Sequence, residues 1–547
     1  MNEHIAYFSM EIAISNEIPT YAGGLGVLAG DTLRSFSDLE LPVVGITLLY
    51  KKGYFHQTID DYGNQIEREV DWDPSERLKK LSVQTSVFIK GREVKVAVWK
   101  YKLKGITGFE NTILFLDTDL DCNGQEDRDI TQRLYAKDEI YRLSQEIVLG
   151  IGGVKILNEL GYDQIQRYHM NEGHSALLTL ELAKDFNKEE IREKCVFTTH
   201  TPVAAGHDRF SKEVAKDLLG NQIPDSIGDK LFNNDELNMT FLGFEFSGHI
   251  NGVAKKHGEV SREMFPGYDI EAITNGVHTK FWTCDEFSEL YDQYLRGWQY
   301  DPFSLRYILS IPQEEVWNAH EKAKNRLIDY VNEHHNANMQ KDVFTIGFAR
   351  RMTPYKRGGL FFSDIERLKK IIESAGPVQI IFGGKAHPKD SEGKKIIKKI
   401  FEYKEHLKNH VHVCYIHDYT IEEAKLLVSG VDLWLNTPTK PMEASGTSGM
   451  KAAHNGVPQF SVLDGWWLEG HIEGITGWSI GNHPDKKENE FDEIEDMYAK
   501  LEYVILPLFY DNRAAWIDIM RHTIAINASF FNTHRMVQQY VLNCYYT

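Results

Sequence analysis

The stretch from Met442 to Gly456, MEASGTSGMKAAHNG, sets serines, glycines and a threonine directly ahead of a single lysine, Lys451, and then resumes with helix formers. Such a run can bring backbone N–H groups and hydroxyls close to an anion at a helix start, where a lysine can neutralise charge or form an imine. Taken alone it could equally be a loop followed by a surface lysine. A second stretch, GFARRMTPYKRGG, places Arg350, Arg351, Lys356 and Arg357 directly after a strand-like run. In a chain with 61 basic and 80 acidic residues, net charge −19, these gathered cations have the character of a phosphate site, since guanidinium forks pair with phosphate oxygens bidentately. The plain alternative is a solvated basic turn.

A third stretch, GGLGVLAGD from Gly23 to Asp31, follows a strand and opens a helix, and it fits the dinucleotide fingerprint G-x-G-x-x-A. That fingerprint also asks for an acid at the end of the next strand to hold the ribose. The next strand, PVVGITLLY, ends in Tyr50 and Lys51. We therefore read an anion-binding helix start without a dinucleotide. HMNEGH, His169 to His174, lacks the spacing of zincins, and no metal is expected. Gly150, Gly152 and Gly153 read as close helix packing.

The elements that must position these groups alternate, short apolar runs with longer helical patterns, as in doubly wound α/β domains. The strand candidates are IAYFSME, PVVGITLLY, TILFLDTDL, QIQRYHMNE, CVFTTHTP and IEAITNGV in the first half. VFTIGFAR, VQIIFGGKA, HVCYIHDY, DLWLNTP and VPQFSVLDG follow in the second. Residues 78–104 alternate with period two around a Gly91-Arg92 turn and read as an inserted antiparallel hairpin. Polar residues cluster at the carboxyl ends of the strands: Asn171 and Glu172, His200, Asn275, Arg350 and Arg351, Gly383 to Lys385, Asp418 and Tyr419. Ligands of open α/β sheets bind beyond those ends, so the groups are expected to face one inter-domain cleft.

The length of 547 residues calls for two large domains, and the composition, 42% hydrophobic and 26% charged, is that of an ordinary globular protein. The expected division is 1–283, 284–512 and a C-terminal helix, 513–547, packing back on the first domain. The negative charge disfavours nucleic acid and anionic membranes as partners. Five scattered cysteines without a CxxC pair, no signal-like start and no spanning apolar run point to the cytoplasm.

Together the motifs resemble the α-glucan phosphorylases, the glycogen, starch and maltodextrin phosphorylase family. The resemblance runs from YFSMEIAI and AGGLGVLAGD through FTTHTP, SGHINGVAKKH, ITNGV, ARRMTPYKR and FGGKAHP to EASGTSGMK, nearly the whole chain. It implies two Rossmann-like domains facing a central cleft, the glycosyltransferase type B fold. It also implies pyridoxal 5′-phosphate as cofactor and reversible phosphorolysis of α-1,4-glucans by inorganic phosphate to α-glucose 1-phosphate with retention. Lys451 matches the lysine that carries the cofactor, and Gly446 and Thr447 match residues near its phosphate. Arg350 falls where the family has a lysine near that phosphate, and Tyr355 and Tyr419 match tyrosines of the cofactor pocket. Glu443, Ser445, His200 and Asn275 match contacts to the glucosyl unit. Arg351 and Lys356 match the cations that hold substrate phosphate, with Gly24 and Leu25 at the helix start offering a backbone N–H. The implied catalytic set is Lys451, Arg351, Lys356, His200 and Glu443, and a homodimer is the implied assembly.

No pair of catalytic carboxylates is evident, which counts against an ordinary glycosidase. The chain is shorter than the animal enzymes, which implies that their N-terminal regulatory segment is absent. Three positions depart from the family pattern: Gly449 for asparagine, Val27 for arginine and Thr420 for arginine. The rival readings are a nucleotide-sugar glucan synthase on the same fold, which the lysine loop disfavours, and a non-catalytic glucan-binding homologue, which the set of reactive groups disfavours.

Overall fold

A computed structural model describes residues 4–546 apart from 136–137, 204–205, 233 and 487–488, with the backbone alone at 229–230. It is a mixed α/β protein with two large sheets rich in parallel pairs, each in its own compact unit. Unit 1 takes residues 1–55, 69–274 and 536–547, and unit 2 takes 56–68 and 275–535.

The sheet of unit 1 has nine strands: β1 (Ile5–Ser9), β2 (Val43–Leu48), β5 (Lys79–Ile89), β6 (Arg92–Lys104), β7 (Glu110–Asp117), β8 (Arg167–Asn171), β9 (Cys195–Thr198), β12 (His249–Gly252) and β13 (Glu271–Ala272). Their spatial order is β13-β12-β9-β8-β1-β2-β7-β6-β5. All pairs from β13 to β7 are parallel. Ala6 and Phe8 pack into one core while Ile5 and Tyr7 pack into the core on the other face. A strand covered on both sides reads as an unbroken apolar run, as β1 and β2 do. The alternating β5 and β6 are half-exposed, and β6 pairs antiparallel with β7. The expected inserted hairpin is therefore the edge of the main sheet. Its turn residues are Lys90 and Gly91, both at positive φ (51° and 69°), and Arg92 already belongs to β6. A two-residue turn that matches the strand twist needs that geometry at both positions. A small ribbon, β10 (Arg209–Ser211) with β11 (Glu236–Asn238), completes the strands of unit 1.

Unit 2 contains the hairpin β3 (His56–Ile59) and β4 (Gln65–Arg68) and a six-stranded sheet. The sheet strands are β14 (Phe344–Ala349), β15 (Val378–Gly383), β16 (His412–Ile416), β17 (Leu433–Asn436), β18 (Gln459–Val462) and β19 (Gly477–Ile480). The order β16-β15-β14-β17-β18-β19 is entirely parallel, the 3-2-1-4-5-6 arrangement of a Rossmann sheet. The hairpin joins this unit through Gln57, whose Nε2 donates to Gly384 O at 3.1 Å, and Gln65, whose Nε2 donates to Ala386 O at 2.9 Å. Helical segments Asp285–Tyr294, Pro302–Ser310 and Gln313–His335 precede the six-stranded sheet in the chain.

The C-terminal stretch is helical from Arg513 and again from Thr533. Residues up to 535 belong to unit 2, and those from Met536 onward to unit 1. There Tyr545 OH meets His169 Nδ1 at 2.6 Å, and Tyr540 OH accepts from Asn251 Nδ2 at 3.0 Å. Burial pushes His169 down to about 3, so it is a neutral structural imidazole.

Candidate active site

In an open parallel sheet the crevice for a ligand lies where the strand order reverses, beyond the carboxyl ends of the two central strands. In unit 2 those strands are β14, which runs out into Arg350, and β17, which ends at Asn436. The Arg350 guanidinium donates to Asn436 Oδ1 and to Glu443 Oε2, closing the two strand ends together. Lys356, in the turn Pro354–Lys356, donates from Nζ to Glu443 Oε1 at 2.9 Å and Oε2 at 2.7 Å. Its ammonium also lies 4.5 Å from the Tyr355 ring centre.

All three charged groups are buried. Burial works to raise the Glu443 carboxyl, but Arg350 and Lys356 outweigh it and hold it at about 2. A single carboxylate thus stands between two cations that would otherwise repel each other. Arg357 is committed elsewhere: its guanidinium donates to Thr437 O and Pro438 O and pairs with Glu493. Arg351 is exposed and makes no ion pair among the described residues.

Glu443 opens the loop that ends on Lys451. The chain turns at Gly446, φ 83°, and enters the short helix Ser448–Ala453. That helix is anchored by Trp434, whose Nε1 donates to Ser448 Oγ at 3.1 Å, and by Asn455, whose Nδ2 donates to both Lys451 O and Trp282 O. Lys451 is buried, with Nζ 3.9 Å from the Trp282 ring centre. Ser445 Oγ and both ends of the Gln459 carboxamide are buried without a partner among the described residues. Gln459 also accounts for Gly449, since a Cβ at 449 would stand 1.4 Å from Gln459 Oε1. A side chain at 449 would require the Gln459 carboxamide to move aside. A buried lysine, with buried polar atoms at Ser445 and Gln459, is a set of groups whose chemistry suits a polar group held covalently.

Other expected residues also fall in unit 2. The Tyr419 ring packs on Gly383 at the end of β15. Thr420 caps the helix Ile421–Gly430 through a reciprocal pair with Glu423, so its departure from arginine has a structural use. Asn275 is buried, its main-chain carbonyl accepting from Arg535 at 2.9 Å while its Oδ1 has no partner among the described residues.

In unit 1 the order reverses between β1 and β8. Asn171, the last residue of β8, donates from Nδ2 to Ser9 Oγ at 3.1 Å, and its Oδ1 lies 2.6 Å from His200 Nε2. Burial lowers His200 to about 4, so its ring is neutral at pH 7. Nε2 then donates to Asn171, leaving Nδ1 as the acceptor. Glu172 sits at φ 78° and ψ 168°, a costly conformation for a side chain. Its carboxylate accepts from His200 N at 2.7 Å and Thr201 Oγ1 at 2.9 Å. Gly24 and Leu25 begin the helix Gly24–Asp38, with Gly24 exposed. The amides just before them, Ala22 N and Gly23 N, donate to Glu11 Oε2.

Sequence reasoning missed three contributors: Glu11, Trp282 and Asp464. Glu11 is an internal carboxylate on a glycine loop that reads as an external anion site. Asp464 lies in an Asp-Gly pair after β18 and accepts from Glu443 N at 2.8 Å. The strand-end position of Asp464 was the available signal. Trp282 carried none.

A family model described as carbohydrate phosphorylase matches residues 12–140 and 193–473. The chain is 39% identical to a maltodextrin phosphorylase of Thermococcus litoralis, over 98% of this chain and 70% of that protein. It is 35% identical to a glycogen phosphorylase of Aquifex aeolicus, over 99% and 86%. To a glycogen phosphorylase of Mycobacterium tuberculosis it is 31% identical, over 99% and 70%. With matches that span the chain from the Glu11 loop to Asp464 and beyond, the chain belongs to the carbohydrate phosphorylase family.

Proposed function

We propose that this protein cleaves α-1,4-glucans with inorganic phosphate, reversibly and with retention, to α-glucose 1-phosphate. The observation that carries the reading is the buried Arg350–Glu443–Lys356 cluster at the strand-order reversal of unit 2, on the loop that leads to Lys451. The residues fit pyridoxal 5′-phosphate: Lys451 would hold it, Gly446 and Thr447 would lie along its phosphate with Arg350, and Tyr355 and Tyr419 would wall the pocket. When bound, the cofactor supplies a phosphate whose second pKa of about 6 allows a proton to be held and returned near neutral pH.

Arg351 and Lys356 hold the substrate phosphate. Their positive charge offsets the repulsion between anions and stabilises the attacking oxygen as charge shifts onto it. Glu443 stays ionised across the working pH range, keeps the Lys356 ammonium in place and accepts from sugar hydroxyls. His200, neutral and with Nδ1 as acceptor, suits a hydroxyl of the glucosyl unit. In unit 2, Asn275 Oδ1 and Ser445 Oγ, buried without a partner among the described residues, are likewise suited to hydroxyls. Gly24 and Leu25 offer main-chain donors. Among the described residues no helix is long and apolar enough to cross a membrane. With five unpaired cysteines, a reducing cytoplasm is the setting we propose.

The test is to incubate the purified protein with maltodextrin and inorganic phosphate and assay glucose 1-phosphate by NMR, which also reads the anomer. Chain elongation from α-glucose 1-phosphate is measured in parallel. Activity only with a nucleotide sugar would transfer the protein to the synthase reading.

A further inference from the structure

Resting on that reading, we infer that Asp464 is a positioning residue that sets the main chain of Glu443 and Ser445 from behind, so that the catalytic carboxylate meets its two cations. Asp464 is buried, and its two carboxylate oxygens have separate tasks. Oδ2 accepts from Glu443 N at 2.8 Å, and Oδ1 accepts from Gly465 N at 2.9 Å. The next residue but one adds a second tie between the segments, Trp466 N donating to Ser445 O at 2.9 Å.

Gly465 permits the close approach. It sits at φ 56°, and a Cβ there would stand 2.5 Å from Ser445 O and 3.0 Å from Glu443 O. Residues 464–466 therefore form a template against which residues 443–445 are laid, with no room for a side chain between them.

Asp464 touches neither of the two cations: its hydrogen bonds run to main-chain N–H groups. The neighbouring Glu443 charge adds to burial in pushing Asp464 up to about 7. A second acid kept there against that cost needs a task, and holding the Glu443 backbone supplies one. Asparagine has the shape but only one acceptor, so Asp464→Asn must leave one of the two N–H groups facing an amide nitrogen. A displacement of about 1 Å at the reacting groups can cost about 10²-fold in rate.

The experiment compares wild type, Asp464→Asn, Glu443→Gln and the double variant by initial rates in both directions, cofactor absorbance and amide hydrogen exchange of the segment 442–447. Asp464→Asn is expected to lower kcat on the order of 10²-fold, to leave cofactor occupancy near that of wild type, and to speed exchange in that segment. In the Glu443→Gln background the same change is expected to cost less than about threefold, because residues acting as a unit are non-additive. An equal loss in both backgrounds, or unchanged exchange at 442–447, overturns the inference. If Asp464→Asn does not fold, Gly465→Ala probes the same contact without altering charge and should give the same pattern. Should wild type neither form nor consume glucose 1-phosphate, the phosphorylase reading fails, and the exchange measurement still decides whether Asp464 holds the loop.

Discussion

The two units reverse strand order in the same way yet furnish the two reversal points with opposite chemistry. In unit 2 the carboxyl ends of β14 and β17 gather Arg350 and Lys356 around one acid, Glu443. In unit 1 the ends of β1 and β8 gather Glu11, Asn171 and Glu172 with a neutral His200. Topology sets where a ligand goes, and the side chains at the strand ends set which ligand. Two cations suit an anion, whereas a neutral imidazole with amide and carboxylate neighbours suits hydroxyls. The two acids also titrate in opposite senses. Cations hold Glu443 down at about 2, while burial raises Glu11 against the donors Ala22, Tyr135 and Gly23.

The largest effect that could break this contrast is on rate. Lys356→Ala removes one of the two cations facing Glu443 and should cost about 10²–10³ in kcat in both directions. Cofactor absorbance should persist on Lys451. Arg351→Ala should act in the same sense, with Arg351→Lys rescuing little because an ammonium lacks the bidentate fork. Near-normal rates for both alanine variants would make the basic turn a solvated surface.

Next in size is the effect on stability of Glu443→Gln, which leaves two buried cations without their counter-ion and should cost about 3–5 kcal/mol near pH 7. A carboxyl with a depressed folded pKa contributes stability above its unfolded value, and that contribution is lost as pH falls toward about 2. The gap between wild type and Glu443→Gln in urea unfolding should therefore close from about pH 4.5 downward. Glu11 should show the reverse slope. Its folded pKa is raised, so its contribution is full below the unfolded value and is lost as pH rises through the folded one. Glu11→Gln should cost about 1–3 kcal/mol at low pH and progressively less at higher pH. Parallel slopes for the two variants would erase the contrast.

The smallest effect sharpens the comparison by lying outside it. Thr420→Ala breaks the cap of the helix Ile421–Gly430 and should lower stability by about 1 kcal/mol, with kcat unchanged.

Much of this architecture is readable in the sequence for a physical reason. Strands buried on both faces, such as FTIGFA and VQIIFG, must be continuously apolar. The hairpin β3–β4, with HQTI and QIER, carries no such signal, because glutamines hold it by hydrogen bonds to main chain far away in sequence. β12, HING, and β19, GWSI, are four residues each and too mixed to stand out. At the candidate site, Arg350, Lys356 and Lys451 stand out in the sequence because strand-end cations and a glycine-flanked lysine are unusual residue choices, whereas Glu443 enters only through the family resemblance. Glu11 is not legible, and Asp464 is marked only by its place after a strand, since each acts on backbone N–H groups of a loop and no residue type marks a backbone donor in advance.

The central claim, that the loop from Glu443 to Lys451 holds a cofactor beside a phosphate-binding cation pair, is tested most directly by one measurement. The protein is reduced with borohydride and peptide-mapped, with glucose 1-phosphate formation assayed on the same preparation before reduction. The account predicts one pyridoxyl adduct per chain on Lys451, in protein that forms glucose 1-phosphate from maltodextrin only when phosphate is present. An adduct on another lysine, or phosphorolysis by protein that carries no cofactor, would contradict it.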